Sequence, residues 1–295
     1  MAPLSSGTVA TRYLALAAAA GASVLVGLSV VATRFAIRET TPASLALLRY
    51  AVALVLLAPF VLATTRVSFE RRDLVPVAVL GVLQFGVLIV LLNYGAQTVP
   101  GGRVALLFAT TPLLTLGLSW AVGQEHFSRL RVLALVITVA GVAVSLGDRA
   151  LAAGASWIGD LAVLGSAITG AICNVGYRPY VRRYPTLAVN LLAILAAVVF
   201  LALPAAADGF FVHAPSFSPL AWLAVLFIGA SSAVGYYLWL WAIKHLGATT
   251  VSAYLGLSPI TAAAMGGVLL GEAATPSFLV GLGLVMAGLW GASRA

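Results

Sequence analysis

The sequence predicts an all-α membrane protein whose ten transmembrane helices form two inverted five-helix repeats. Three observations predict it. First, 62% of the residues are hydrophobic and only 8% are charged. A soluble domain carries about 25% charged residues, so this chain lacks the material to cover a water-facing surface. Second, the apolar runs are continuous over the ~20 residues that a bilayer core demands of a helix, not the ~10-residue alternating segments of a barrel. Third, one stretch occurs twice. Val104–Glu125 reads VALLFATTPLLTLGLSWAVGQE and Val251–Glu272 reads VSAYLGLSPITAAAMGGVLLGE. Each copy is interrupted by a hydroxyl–proline pair, Thr111-Pro112 and Ser258-Pro259, and each closes on a glutamate. The copies lie 147 positions apart, and Leu135 with Leu282 and Gly141 with Gly288 keep that offset. Twice the offset nearly fills the 295 residues, so the halves are drawn at 1–148 and 149–295.

Taken in order, the spans are Tyr13–Thr33, Pro42–Ala63, Leu74–Ala96, Arg103–Val122 and Arg129–Leu146 in the first half. The second half holds Trp157–Tyr177, Thr186–Leu203, Pro219–Ile243, Thr249–Leu270 and Ser277–Ala292. The opening apolar run, Tyr13 to Val31, exceeds the ~7–15 residues of a signal-peptide core and is read as a retained helix. The connections are short. The longest, PAAADGFFVHAPSFSP, carries aromatics suited to the membrane interface.

Loop charges set the orientation. Eleven basic residues, among them Arg71, Arg72, Arg178, Arg182 and Arg183, fall on the side of the N-terminus. Five fall opposite: Arg34, Arg38, Arg49, Arg103 and Arg149. The positive-inside rule then puts both termini in the cytoplasm. Because five spans per repeat is odd, the second half enters the membrane upside down. Glu125 ends on the cytoplasmic side and Glu272 on the outer side. Paired halves of opposite topology are an architecture of secondary carriers, since exchanging the conformations of the halves exchanges the open side. A symmetric scaffold without transport is the plainer alternative.

Candidate residues follow from polarity at depth. Pro112 and Pro259 remove a backbone donor and free the carbonyls of Phe108 and Leu255, which makes them candidate gating breaks or, more plainly, packing kinks. Thr110, Thr111 and Ser258 stand close enough to supply hydrogen bonds. Cavity-facing candidates are Gln84 on span three and Phe108, Thr111 and Thr115 on span four. Asn174 and Tyr177 on span six, Ser232, Tyr236 and Trp239 on span eight, and Tyr254 and Ser258 on span nine complete the set. Bonding to a neighbouring helix is the competing role for each polar group. All eight carboxylates sit at or near span ends, Asp160 being the deepest. No intramembrane proton relay is evident, which favours facilitated or exchange transport.

Structural roles are assigned to Glu125, Glu272 and Arg49. Each glutamate precedes a new helix, with Ser128 or Thr275-Pro276 as its cap. Arg49 is expected to snorkel outward, to pair with Glu39 or Asp160, or to meet an anionic group at the outer mouth.

No cofactor or metal is expected: His126, His213 and His245 are scattered, and neither an HExxH motif nor a P-loop occurs. Cys173 is the lone cysteine, read as packing. The net charge of +8 lies in short loops with no basic face, so nucleic acid is excluded as a partner. The expected partners are the bilayer and a small-molecule solute, with the oligomeric state open and a monomer allowed.

Together these marks resemble the EamA-type members of the drug/metabolite transporter superfamily. Arg49 opens span two, Pro112 and Pro259 interrupt spans four and nine, Gly123-Gln124-Glu125 and Leu270-Gly271-Glu272 close them, and Gly141 and Gly288 follow. One departure is the opening of the first repeat, Val26-Gly27 where the family carries Trp-Gly. The resemblance implies a cavity built from both repeats and export or exchange of small metabolites without ATP. It includes an amino-acid exporter branch that handles aromatic amino acids. The expectation is therefore a multi-pass inner-membrane carrier, not an enzyme, moving small neutral organic solutes, foremost amino acids. A flippase or efflux carrier for lipid-like or amphipathic compounds is the alternative. A carrier of this kind should hold a water-filled pocket bounded by spans three, four, eight and nine.

Overall fold

Long apolar runs can satisfy their backbone groups without water only by coiling on themselves, and the computed structural model is accordingly helical. It describes residues 6–64, 69–99, 104, 107–126, 128–146, 157–212, 217–270 and 276–294, and no strand occurs among them. The first half contributes α1 (Ser6–Ala36), α2 (Pro42–Thr64), α3 (Arg71–Val82), α4 (Leu88–Thr98), α5 (Thr111–Ala121) and α6 (Arg129–Leu146). The second contributes α7 (Trp157–Arg183), α8 (Thr186–Ala207), α9 (Pro219–Leu246), α10 (Ala248–Ala253), α11 (Leu257–Leu270) and α12 (Pro276–Arg294). Among the described residues, six stretches are long and apolar enough to cross a bilayer: Ala10–Thr33, Pro42–Thr64, Arg71–Gly95, Trp157–Arg183, Thr186–Ala207 and Pro219–Leu246. Leu279–Ala292 is a shorter apolar helix.

Three of the expected spans are interrupted. The third carries a π-helical turn at Leu83–Val87 between α3 and α4. In the fourth, the helix restarts at Thr111 with Pro112 in its first turn. The ninth tightens into a 3-10 turn at Tyr254–Gly256 before α11 begins at Leu257. Both prolines therefore sit in the opening turn of a new helix, where a missing N–H leaves no bond unmade. Glu272 lies outside the described residues.

The most extensive packing runs between the halves. α6 lies on α12, α1 on α9 and α11, and α2 on α8 and α9. α3 lies on α8, α4 on α7, and α5 on α7 and α10. Lipid removes the hydrophobic drive between helices, so close approach at small residues has to supply the contact. A Cβ at Gly141 would stand 2.7 Å from the Val285 nitrogen, and one at Gly288 would stand 2.7 Å from the Ala134 carbonyl oxygen. The two glycines related by the 147-residue offset thus press α6 and α12 together from opposite sides. The main core joins α2, α3, α7, α8 and α9 around Tyr50, Phe85, Cys173, Tyr177 and Trp239. Bulky groups such as Val55, Phe60, Leu62, Val199 and Leu203 face outward.

Candidate functional site

The π turn of the third span positions the site. A π turn holds one residue more than an α turn and rotates the side chains after it, a device common at functional positions. Here it carries Gln84, Phe85 and Gly86. The Phe85 ring meets Tyr50 of α2 at 4.7 Å and Tyr236 of α9 edge-on at 4.5 Å. Tyr236 in turn meets Tyr177 of α7 at 5.8 Å. Both spacings between edge and face suit the ring quadrupoles. One helical turn past Tyr236, Trp239 donates its indole N–H to Asn174 Oδ1 at 2.9 Å. The result is a column of rings from α2, the π turn, α7 and α9, tied off by one buried tryptophan–amide bond.

Arg49 stands at the head of the column. Its Nε donates to Ser232 Oγ at 2.6 Å, and its guanidinium carbon lies 5.5 Å from the Tyr50 ring centroid. Ser232 passes its own proton to the Ile228 carbonyl at 2.7 Å, so its oxygen is free to accept from the arginine. Ser232 is the fourteenth of 28 residues in α9, which sets the guanidinium at mid-depth of a helix about 42 Å long. The outward snorkel expected of Arg49 is not adopted. Glu39, one of its two expected partners, instead accepts from the Ser218 backbone N–H and hydroxyl, both at 2.7 Å. Those two bonds, the backbone one first, hold the Glu39 carboxyl below the usual glutamate range. Arginine at this depth is costly in a membrane and is retained where it serves a site.

Six residues singled out from the sequence meet in this column, Arg49, Asn174, Tyr177, Ser232, Tyr236 and Trp239, and Gln84 precedes Phe85 in the π turn. Others do not. Thr111 and Thr115 are fully buried and bond back along their own chain, Thr111 Oγ1 to the Phe108 carbonyl at 2.6 Å and Thr115 Oγ1 to the Thr111 carbonyl at 2.8 Å. The Phe108 carbonyl is the one that Pro112 frees. Tyr254 packs against both the main core and the α5–α6–α12 cluster. At Ser258 the backbone carbonyl faces α1, where a Cβ on Gly27 would lie 2.6 Å away. That contact gives Gly27 its place: α1 crosses the Pro259 break at a point where no side chain fits. Tyr50 and Phe85 belong to the column and escape the sequence reading. The signal for Tyr50 is its adjacency to Arg49.

Two of the cavities among the described residues open at the ends of the bundle, and neither of these is bounded by spans three, four, eight and nine. One, of about 290 Å³, has mainly apolar walls from Pro42, Ala46, Ile89, Val90 and Leu201, with Asn93 and Asp208 at its rim. The other, of about 320 Å³, is mainly polar and lies where Glu125 meets Arg131 and Arg178. Glu125 accepts from Arg131 Nη1 at 3.0 Å and from the Thr249 backbone N–H at 3.3 Å. It therefore ties the end of α5 to the starts of α6 and α10. Gly247, at φ +92, leaves the room: a Cβ there would stand 2.8 Å from Glu125 Oε1.

Comparison with known proteins adds the family context. The profile of the EamA-like transporter family matches residues 13–147 and again residues 157–294. A probable terminal-alkyne amino-acid exporter of Streptantibioticus cattleyicolor is 31% identical over 226 residues, covering 75% of this chain and 73% of that protein. An uncharacterized transporter of Archaeoglobus fulgidus is 24% identical over 266 residues, covering 90% and 93%. A solved crystal structure at 22% identity superposes with a TM-score of 0.76, covering 94% of this chain and 96% of its own, and so shares the fold.

Proposed function

The chain belongs to the EamA-like transporter family, and from that premise we propose that it exports or exchanges small neutral organic metabolites by alternating access. The solutes favoured are amino acids with aromatic or other hydrophobic side chains. One observation carries this reading: a guanidinium bonded to Ser232 at mid-depth, directly above the Tyr50–Phe85–Tyr236–Tyr177 rings. A zwitterionic amino acid is complementary to that pair of features. Its carboxylate meets the Arg49 fork, and its side chain stacks on the rings. The tyrosine hydroxyls are left for the ammonium group. The S. cattleyicolor protein described as a probable terminal-alkyne amino-acid exporter, similar over three quarters of this chain, supports amino acids as the solute class.

Ten spans in two inverted repeats, 1–148 and 149–295, make the best account of the packing. Moving every contact five spans along the chain turns α1·α9 into α7·α4, α2·α9 into α8·α3, and α1·α11 into α7·α5. The same move returns α6·α12, α2·α8 and α5·α10 to themselves. The double match of the family profile agrees with it. The basic loops argue for an inner-membrane protein with both termini cytoplasmic. The rings and the bonded arginine fill the column, which corresponds to a state closed around its centre. Opening the site then requires the halves to move past one another at their shared faces.

A second reading draws on the apolar cavity walled by Ile89, Val90 and Leu201. Its shape suits an acyl or amphipathic solute, as a flippase or efflux carrier would need. Counterflow in proteoliposomes separates the two. Saturable exchange of hydrophobic amino acids supports the first reading, and transport of amphipathic cations or lipid analogues alone would replace it with the second.

A further inference from the structure

We infer that the polar cavity at the Glu125 end of the bundle is a binding site for a small oxyanion, a carboxylate or a phosphate, distinct from the central column. Its walls include Gln124, His126, Ser128, Arg131 and Arg178 around Glu125. The charges do not balance. Two guanidinium groups, with side chains 22% and 14% exposed, surround one carboxylate that is 6% exposed. Arg178 is only loosely paired with it: its Nη1 stands 3.8 Å from Glu125 Oε1 and donates instead to the Gln124 carbonyl at 2.7 Å. The Nε–H groups of Arg131 and Arg178 are buried and meet no acceptor among the described residues. Buried donors on charged groups are rarely left unmet, and a guanidinium fork is the usual receptor for planar or tetrahedral oxyanions.

Size and placement agree. About 320 Å³ is far more than the ~30 Å³ that one water occupies, and sits at the lower end of small-ligand pockets. The site is also one-sided. The positions 147 residues from Arg131 and Arg178 hold Phe278 and Val31, so the repeat supplies the two cations at this end only. An oxyanion between the arginines competes with Glu125 for them. Losing Arg131 would leave Glu125 held by the Thr249 N–H, and the tie between α5, α6 and α10 would loosen.

Isothermal titration of the purified full-length protein in detergent, at constant ionic strength with chloride as background, tests this without any flux measurement. Phosphate, acetate and a neutral amino acid serve as separate probes. Saturable binding of at least one is expected, lost in Arg131→Gln and Arg178→Gln. Glu125→Gln removes the competing carboxylate and should tighten binding by at least about fivefold, the scale of one charge contact at ~4 Å in water. Binding of the amino acid but not phosphate would identify the anion as the carboxylate of a solute entering the carrier. Binding of phosphate alone would identify a free inorganic anion. No saturable heat with any probe, or affinity unchanged in Glu125→Gln, would overturn the site. Should either arginine variant fail to fold, the Glu125→Gln comparison decides alone.

Discussion

Arg49 on α2 and Ser232 on α9, 183 residues apart in sequence, are joined by a 2.6 Å hydrogen bond from guanidinium to hydroxyl. This bond bridges the two halves at mid-depth, so a motion that separates α2 from α9 has to break it or carry it along. Arg49→Gln removes the charge and should lower amino-acid flux by about 10- to 100-fold, the scale of one hydrogen bond to a charged group. Ser232→Ala should raise the apparent KM by a smaller factor, because the guanidinium itself remains. Uptake kinetics with expression-matched vesicles checks both. Normal kinetics in Arg49→Gln would remove the residue from the site.

The Trp239–Asn174 bond tests whether the column also organises the fold. Trp239→Phe keeps the ring surface but leaves Asn174 Oδ1 without its donor. An unmet buried amide costs about 1–3 kcal/mol, so thermal unfolding in detergent should shift down by several degrees. An unchanged melting temperature would mean that water or another donor replaces the indole.

The prolines make a kinetic prediction. Pro112 begins α5 and Pro259 lies in the first turn of α11, so alanine at either site loses no hydrogen bond and keeps the fold. Alanine also allows the broken span to continue as one helix, which stiffens it. Flux should fall by about tenfold in each variant while protein level stays near that of the unmodified chain. Equal losses of protein and flux would assign the prolines to packing.

The π turn explains why part of the site was hidden. The 147-residue offset, the proline breaks and the polar residues of α7 and α9 are all legible in the sequence, because each depends on local pattern. Phe85 is not, because an inserted residue shifts the helical phase and no hydrophobic period announces it. The partner of Arg49 lies in the other half, and nothing in the chemistry of span two points to Ser232. Thr111 and Thr115 read from the sequence as polar groups at depth, and their hydroxyls close on backbone carbonyls of their own chain. The sequence pattern cannot separate that outcome from a cavity-facing one.

Glu39 and Ser218 give a pH dependence. Their two bonds lower the folded carboxyl below its ordinary value of 4.5. For a depressed acid, the stabilisation is complete above the unfolded pKa and is lost as pH falls through the folded one. Below pH 4.5 the melting temperature should therefore drop more steeply for the unmodified chain than for Glu39→Gln. Parallel profiles would show that this tie between the α1–α2 loop and the start of α9 adds nothing to stability.

The most direct measurement compares an aromatic amino acid with its decarboxylated amine in the same proteoliposomes. The two share the ring and the amino group and differ only in the carboxylate assigned to Arg49. Saturable uptake of the acid, with the amine neither carried nor competing, is the predicted result. Equal transport of both, or of the amine alone, would contradict a carboxylate-recognising site at the head of the aromatic column.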